Sequence, residues 1–238
     1  MTDDDRLAGR IFTRREALGI FGAGALSLWP FAGTRAAAQG SVGCVATPEQ
    51  TDGPFFVDER LNRADVRSDP AGGAVSEGIP LTLAFAVQAV STRGCAPLPG
   101  AIVDIWHCDA AGVYSDVAGT GSAGHKFLRG YQTTDGNGRV QFVTIYPGWY
   151  PGRAVHIHFK VRGEAAAGKR YALSSQLYFD DALSDRVFAH KPYADRGRRN
   201  VRNASDFRYR SGGGQLTLAP GESGTGYAAS FDVGLKLA

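Results

Sequence analysis

The chain has 238 residues and a formal net charge of +3, so it is long enough to bury one sizeable core and carries no charge excess that points to a nucleic-acid partner. Its 32 glycines suit many tight turns between short strands, and its three cysteines form an odd set.

Residues 1–38 read as a targeting segment rather than as part of the fold, leaving 39–238 as one catalytic domain. Thr13-Arg14-Arg15-Glu16-Ala17-Leu18 resembles a twin-arginine export signal; a modestly apolar stretch from Ile20 to Phe31 follows, and Ala36-Ala37-Ala38 offers small residues for cleavage near Ala38. The apolar run is too short for a permanent bilayer span, so no stable membrane anchor is expected. The expected route is the twin-arginine export machinery, which carries folded proteins, to the periplasm or the exterior. The alternative is an amphiphilic disordered tail.

Past the leader, one disulfide and one free thiol is the simplest oxidised arrangement. Cys44 and Cys95 flank loop segments and are the expected pair, with two unpaired thiols as the alternative; Cys108 reads as a small buried residue. Ile79 to Val90 reads as a central strand, and Ala101 to Trp106 as a strand apolar on both faces apart from Asp104. Asp135-Gly136-Asn137-Gly138 is a turn signal that predicts a hairpin joining Tyr131–Thr134 to Val140–Val143. Strands are also expected at Val155–Val161, Gln176–Phe179, Gln215–Leu218 and Tyr227–Val233, with a short helix near Asp181–His190. The arginine-rich run from Lys191 to Arg210 reads as a solvated face, or alternatively as a contact for an anionic substrate or partner. There is no internal repeat, and short strands separated by glycine-rich turns argue an all-β fold, a single β-sandwich.

The chemistry concentrates between Tyr146 and His158. In Ala154-Val155-His156-Ile157-His158-Phe159 the two histidines share one face of a strand, because strand side chains alternate with period 2. Just upstream, Pro147, Gly148, Pro151 and Gly152 bracket Trp149 and Tyr150 in a rigid turn that aims Tyr150 back toward the strand. Imidazoles suit zinc, copper or iron alike, but a hard, highly charged ion such as Fe(III) also favours anionic oxygen. A His-x-His pair alone is equally compatible with a half-exposed or a core pair, and most of the nine tyrosines are packing aromatics. His107 and His125 are metal-capable by type, and Tyr146 competes with Tyr150 by position.

A second segment narrows the choice. Val103-Asp104-Ile105, a spacer of six residues and Gly112-Val113-Tyr114 follow the pattern of the intradiol ring-cleavage dioxygenases, ferric enzymes that open catechols between their two hydroxyls. Thr47-Pro-Glu-Gln-Thr-Asp-Gly-Pro-Phe55-Phe56 resembles that family's entry segment and Ser175-Gln176-Leu177-Tyr178-Phe179 its later strand, so the resemblance runs, in order, over roughly residues 44 to 190. It implies the family's β-sandwich, without the N-terminal helical dimerisation domain that some relatives carry, since the leader occupies that place. It also implies Fe(III) held by Tyr114, Tyr150, His156 and His158. Tyr150, in the Pro-Gly-x-Tyr-Pro turn, is then the ligand that dissociates when a catecholic substrate enters, and Tyr114 stays bound. Arg153 falls where the family places an arginine near the reacting carbon, and Gln176 matches a glutamine that hydrogen-bonds near the iron-bound solvent or substrate oxygen. The implied co-substrate is O2 and the product a muconate-type diacid. His107, His125 and Tyr146 align with no family ligand.

Other classes fit less well. A cupin needs a spaced glutamate and a later histidine, and Glu164 stands too far from His158. A transthyretin-like binding sandwich has no use for two tyrosines beside His-x-His, and a zinc hydrolase lacks a carboxylate base here. The motifs constrain only the shared diol, leaving catechol, protocatechuate, hydroxyquinol and larger lignin-derived catechols open. The five-residue connection between Tyr150 and His156 is shorter than in relatives with an insertion there, which implies a more open mouth.

Overall fold

The computed structural model describes residues 44–165 and 168–237. The expected leader, its cleavage near Ala38 and the expected lack of a preceding helical domain fall on residues outside that range. No helix among the described residues is long and apolar enough to cross a membrane.

Strand β1 (Pro80–Ser91) shows the pattern that builds the molecule: Leu81, Leu83, Phe85 and Val87 are buried, and the residues between them are only partly so. One edge of β1 pairs in parallel with β10 (Gly226–Lys236), in register from Leu81↔Tyr227 to Val90↔Lys236. Its other edge pairs antiparallel with β5 (Arg139–Ile145) and then with β2 (Gly94–Pro97), and β9 (Gly221–Ser223) lies beyond β10. A second sheet runs β4 (Arg129–Thr133), β3 (Ile102–Trp106), β6 (His156–Glu164), β7 (Arg170–Phe179) and β8 (Thr217–Leu218). The sheets face each other across one apolar layer, where Phe159 of β6 sits 5.4 Å from Phe85 of β1 and 5.9 Å from Phe231 of β10, ring to ring. This is the expected β-sandwich.

The expected helix is α1 (Asp181–Phe188), started by the Asp180 carboxylate accepting from the Ala182 and Leu183 N–H groups. Cys44 and Cys95 form a disulfide and Cys108 is a buried free thiol. Two expectations need correction. The Asp135–Gly138 turn is present, but β4 and β5 do not form a hairpin: β4 pairs with β3 in one sheet and β5 with β1 in the other. The turn crosses between the layers, because the edge of β5 is taken by the far longer ladder to β1. Nor is the arginine-rich run simply a solvated face. Arg199 is only 4% exposed and is paired with Asp181 and Asp185 of α1, and Asp206 is buried.

Period 2 also places the site. Val103 and Ile105 of β3, Ile157, Phe159 and Val161 of β6, and Leu177 and Phe179 of β7 enter the core. Trp106, His156, His158, Gln176 and Tyr178 therefore face outward from the second sheet. Register sets Trp106, His158 and Gln176 in one row across three strands, and His156 opposite Tyr178 in the next. All five are buried nonetheless.

Candidate metal centre

The cover over that outer face consists of the entry segment, with Phe55 and Phe56, and two loops that each deliver a tyrosine. The first loop follows β3 and folds on Asp109, whose carboxylate accepts from the Val113 N–H at 2.8 Å. The second is the Pro147–Gly152 turn. Gly148 N–H donates to the Asp109 carbonyl at 3.1 Å, so the loops are joined backbone to backbone. Gly112 lies at φ +81° with the Trp149 carbonyl where a Cβ would stand, so neither a side chain nor the usual conformation fits there. Phe55 stacks on the Tyr114 ring at 4.5 Å.

Tyr114, Tyr150, His156 and His158 come together here. The His156 Nε2 atom lies 3.1 Å from His158 Nε2, 3.2 Å from the Tyr150 hydroxyl and 3.4 Å from the Tyr114 hydroxyl. His156 Nδ1 lies 2.7 Å from the Ala154 carbonyl; a carbonyl only accepts, so the proton is on Nδ1 and Nε2 carries a lone pair. One lone pair cannot satisfy three neighbours at once. A small cation binding all four atoms does, since donors about 2.0–2.1 Å from one ion stand about 3 Å apart. Among the described residues no three His, Cys, Asp or Glu side chains converge in this way, and the oxygen groups nearest the two imidazoles are phenols.

Burial governs the charge states. It holds His156 down at about 3 and His158 well below the usual imidazole range, so both rings are neutral donors. Burial likewise pushes the Tyr150 phenol up to about 12 and Tyr114 well above its ordinary value, so neither ionises without a nearby cation. The two differ in access: Tyr114 is buried and Tyr150 only half so. Trp106 lies flat against His158, with ring centres 5.0 Å apart and planes within 7°. Gly53, at φ +68°, rests on the same imidazole, and a Cβ there would stand 3.0 Å from His158 Cε1.

Arg153 and Gln176 are also brought together, beside the cluster. Arg153 Nη2 donates to the Gln176 Oε1 atom, Gln176 Nε2 donates to the Thr51 carbonyl at 3.3 Å, and Tyr178 donates to Gln50 Oε1 at 2.9 Å. Arg153 Nε donates to Asp206 Oδ2 at 2.9 Å. The remaining candidates lie elsewhere. His107 is buried between the Cys108 carbonyl and the Thr144 hydroxyl, His125 pairs with Asp69, and Tyr146 bonds Ser184. Sequence reasoning missed Asp206, Gly53 and the role of Tyr178. The glycine stood within a quoted motif; nothing in the sequence singled out Asp206 from its arginine-rich surroundings.

A sequence model described as dioxygenase matches residues 51–213, a span that contains all four converging side chains together with Arg153 and Gln176. The chain belongs to the intradiol ring-cleavage dioxygenases. The protocatechuate 3,4-dioxygenase beta chain of Burkholderia cepacia is 34% identical over 159 residues, which are 61% of this chain and 66% of that protein. Catechol 1,2-dioxygenase 1 of Acinetobacter lwoffii is 26% identical over 143 residues, 50% of this chain and 43% of the relative. The chain thus spans less than two thirds of either curated relative. The solved intradiol ring-cleavage dioxygenase of Tetranychus urticae superposes with a TM-score of 0.71 at 27% identity, covering 81% of this chain and 95% of that one. Intradiol dioxygenases employ non-haem iron, and the two-imidazole, two-phenol set of this member fits such an ion.

Proposed function

We propose that this protein is a non-haem Fe(III) dioxygenase that opens a catecholic ring between its two hydroxyls with O2, giving a muconate-type diacid. Tyr114, Tyr150, His156 and His158 hold the metal. The observation that carries this reading is the convergence of one imidazole nitrogen and two phenol oxygens on His156 Nε2 within 3.4 Å. When bound, Fe(III) would lower the pKa of both phenols and of the diol, and it is the loss of the diol's protons that would make its ring electron-rich enough to meet O2.

The chain's own residues divide the remaining work. The half-buried Tyr150 would be the ligand on the substrate side, and its Oη would take up one of the two hydroxyl protons of the diol, with a solvent hydroxide taking the other. Tyr114, buried under Phe55 and fixed by its loop, stays. Phe55, Phe56 and Trp106 exclude water from the imidazole side. Arg153 sets a fixed guanidinium where negative charge develops on the ring, and such a group counts most in a dry site. Gln176, held by Arg153 and the Thr51 carbonyl, presents its amide to the substrate oxygen. The ring substituents of the substrate stay open among catechol, protocatechuate, hydroxyquinol and larger catechols.

The test is metal analysis with visible spectroscopy, then oxygen uptake and product identification over those four substrate types. The expected result is about one iron per chain, a red colour from phenolate-to-iron charge transfer, and an acyclic diacid from at least one catechol. His156→Ala and His158→Ala are expected to remove iron and activity together, whereas His125→Ala keeps both. Colourless protein that binds zinc and takes up no iron would overturn the assignment.

We also infer that residues 1–38 are a twin-arginine leader cleaved near Ala38, so that the mature protein works in the periplasm or outside the cell. The Cys44–Cys95 disulfide supports this, since disulfides persist in oxidising compartments.

A further inference from the structure

Asp206 is a carboxylate with a fully shielded side chain, and each of its oxygens accepts twice. Oδ1 takes the Arg208 N–H at 2.7 Å and the Tyr209 N–H at 3.1 Å, which closes its own turn. Oδ2 takes Arg153 Nε at 2.9 Å and the Ala154 N–H at 2.7 Å. The turn is anchored in its own right, because Asn203 Nδ2 donates to the Phe179 carbonyl at the end of β7 at 2.8 Å. The carboxylate is therefore a fixed point against which the strand-entry residues 153 and 154 are set.

Two side chains of the site depend on that point. The backbone of Ala154 is held at its N–H by Asp206, and its carbonyl, in the next peptide unit across the same Cα, accepts from His156 Nδ1 at 2.7 Å. This fixes both the tautomer and the ring orientation of His156. Arg153 is held at Nε by Asp206 and at Nη2 by Gln176, with the Tyr178 hydroxyl 3.4 Å from the same nitrogen, and its charge also faces the Tyr150 hydroxyl. Arginine has many rotamers, and a bond at Nε selects one of them while keeping an outer nitrogen available.

We propose that Asp206 is a positioning residue of the site. Through Oδ2 it aims the Arg153 guanidinium, and through the backbone of Ala154 it orients the His156 imidazole, touching neither metal nor substrate itself. The inference rests on the reading of His156 as a metal ligand and Arg153 as a substrate-facing cation, and adds the residue that sets both. Oδ1 serves the local turn and Oδ2 serves the site, so the two roles are separable.

The experiment is a double-mutant cycle of Asp206→Asn against Arg153→Leu in the iron-loaded protein. It reads kcat and KM on catechol, the rate of iron loss to a chelator and the thermal midpoint. Asparagine keeps one acceptor oxygen for the turn but sets an amide where Arg153 Nε and the Ala154 N–H need one. Asp206→Asn is expected to lower kcat about 10²-fold with KM changed far less, since misplacement of a reacting group by about 1 Å costs that much. In the Arg153→Leu background the same change is expected to cost kcat less than about 3-fold, because coupled residues are not additive. Iron loss is expected to quicken in both backgrounds, because the arm to His156 does not run through Arg153. Asp206→Glu, which keeps the charge but displaces it by one methylene, is judged by the same comparison and takes the place of the asparagine variant if that fails to fold. An equal loss of kcat in both backgrounds with unchanged iron release, in an active wild-type protein, would reduce Asp206 to a turn cap and overturn the proposal alone. A wild-type protein that binds no iron and cleaves no catechol would overturn the proposed function as well.

Discussion

At the scale of single residues, what was legible followed from strict local rules. Two histidines at a spacing of two on a strand must share a face, and the Pro-Gly-bracketed turn returns Tyr150 to it. Asp206 was not legible, because its meaning depends on a backbone N–H and a guanidinium some fifty positions away. Gly53 is an intermediate case: the motif held it, but its reason is the His158 ring against its backbone. Gly53→Ala adds a left-handed strain of about 1–2 kcal/mol and also a contact at 3.0 Å from His158 Cε1. Gly119, at φ +82° with nothing within 4 Å, carries the strain alone. Iron release to a chelator is expected to quicken in Gly53→Ala and stay at the wild-type rate in Gly119→Ala, while both lower the melting temperature by a few degrees. Equal iron release in the two variants would show that Gly53 serves only its turn.

Single elements were read well where a strand carried its own alternation and poorly where partners decide. The Asp135–Gly138 turn reports a reversal of the chain, not which ladder the next strand joins. β2 and β9, at four and three residues, are too short to show a period. β2 gains from a covalent tie what it lacks in length. The Cys44–Cys95 bond spans 51 positions and fastens the start of the described chain to this strand. In the chain-entropy account a loop of that size stabilises the fold by about 4 kcal/mol. Urea unfolding of Cys44→Ser, and of the wild type under reductant, is expected to show midpoints lowered together and a steeper slope, because the unfolded chain without the cross-link exposes more surface. A midpoint that moves with neither treatment would mean that the loop is as constrained in the unfolded chain as in the folded one.

For the whole molecule, one of the groups through which pH acts belongs to neither the proposed metal centre nor the surface. His107 ties the end of β3 to Thr144 of β5, and burial, the larger cause, holds its pKa at about 4. A depressed folded-state pKa means that the unfolded chain binds the proton first. The stabilisation is therefore complete above the ordinary histidine value of about 6.5 and is lost as pH falls toward 4. The shift corresponds to something on the order of 3 kcal/mol. Unfolding free energies measured from pH 7 down to 4 are expected to fall more steeply for the wild type than for His107→Gln, the carboxylates common to both cancelling in the difference. Parallel curves would show that His107 is protonated equally in the folded and unfolded chains.

The parallel ladder between β1 and β10 has a consequence for how the protein is made. A ribosome delivers β1 well before β10, which follows it by well over a hundred residues. Until the final strand of eleven residues emerges, one edge of β1 has no neighbour over ten consecutive positions. Such non-local pairing is slow, and an unpaired apolar edge is open to other chains. The nascent domain therefore has no route to completing its first sheet before β10 is made, and the apolar face of the second sheet waits for it. Completion of the first sheet waits on β10, and the interval between the synthesis of β1 and that of β10 is when the domain most needs protection from aggregation.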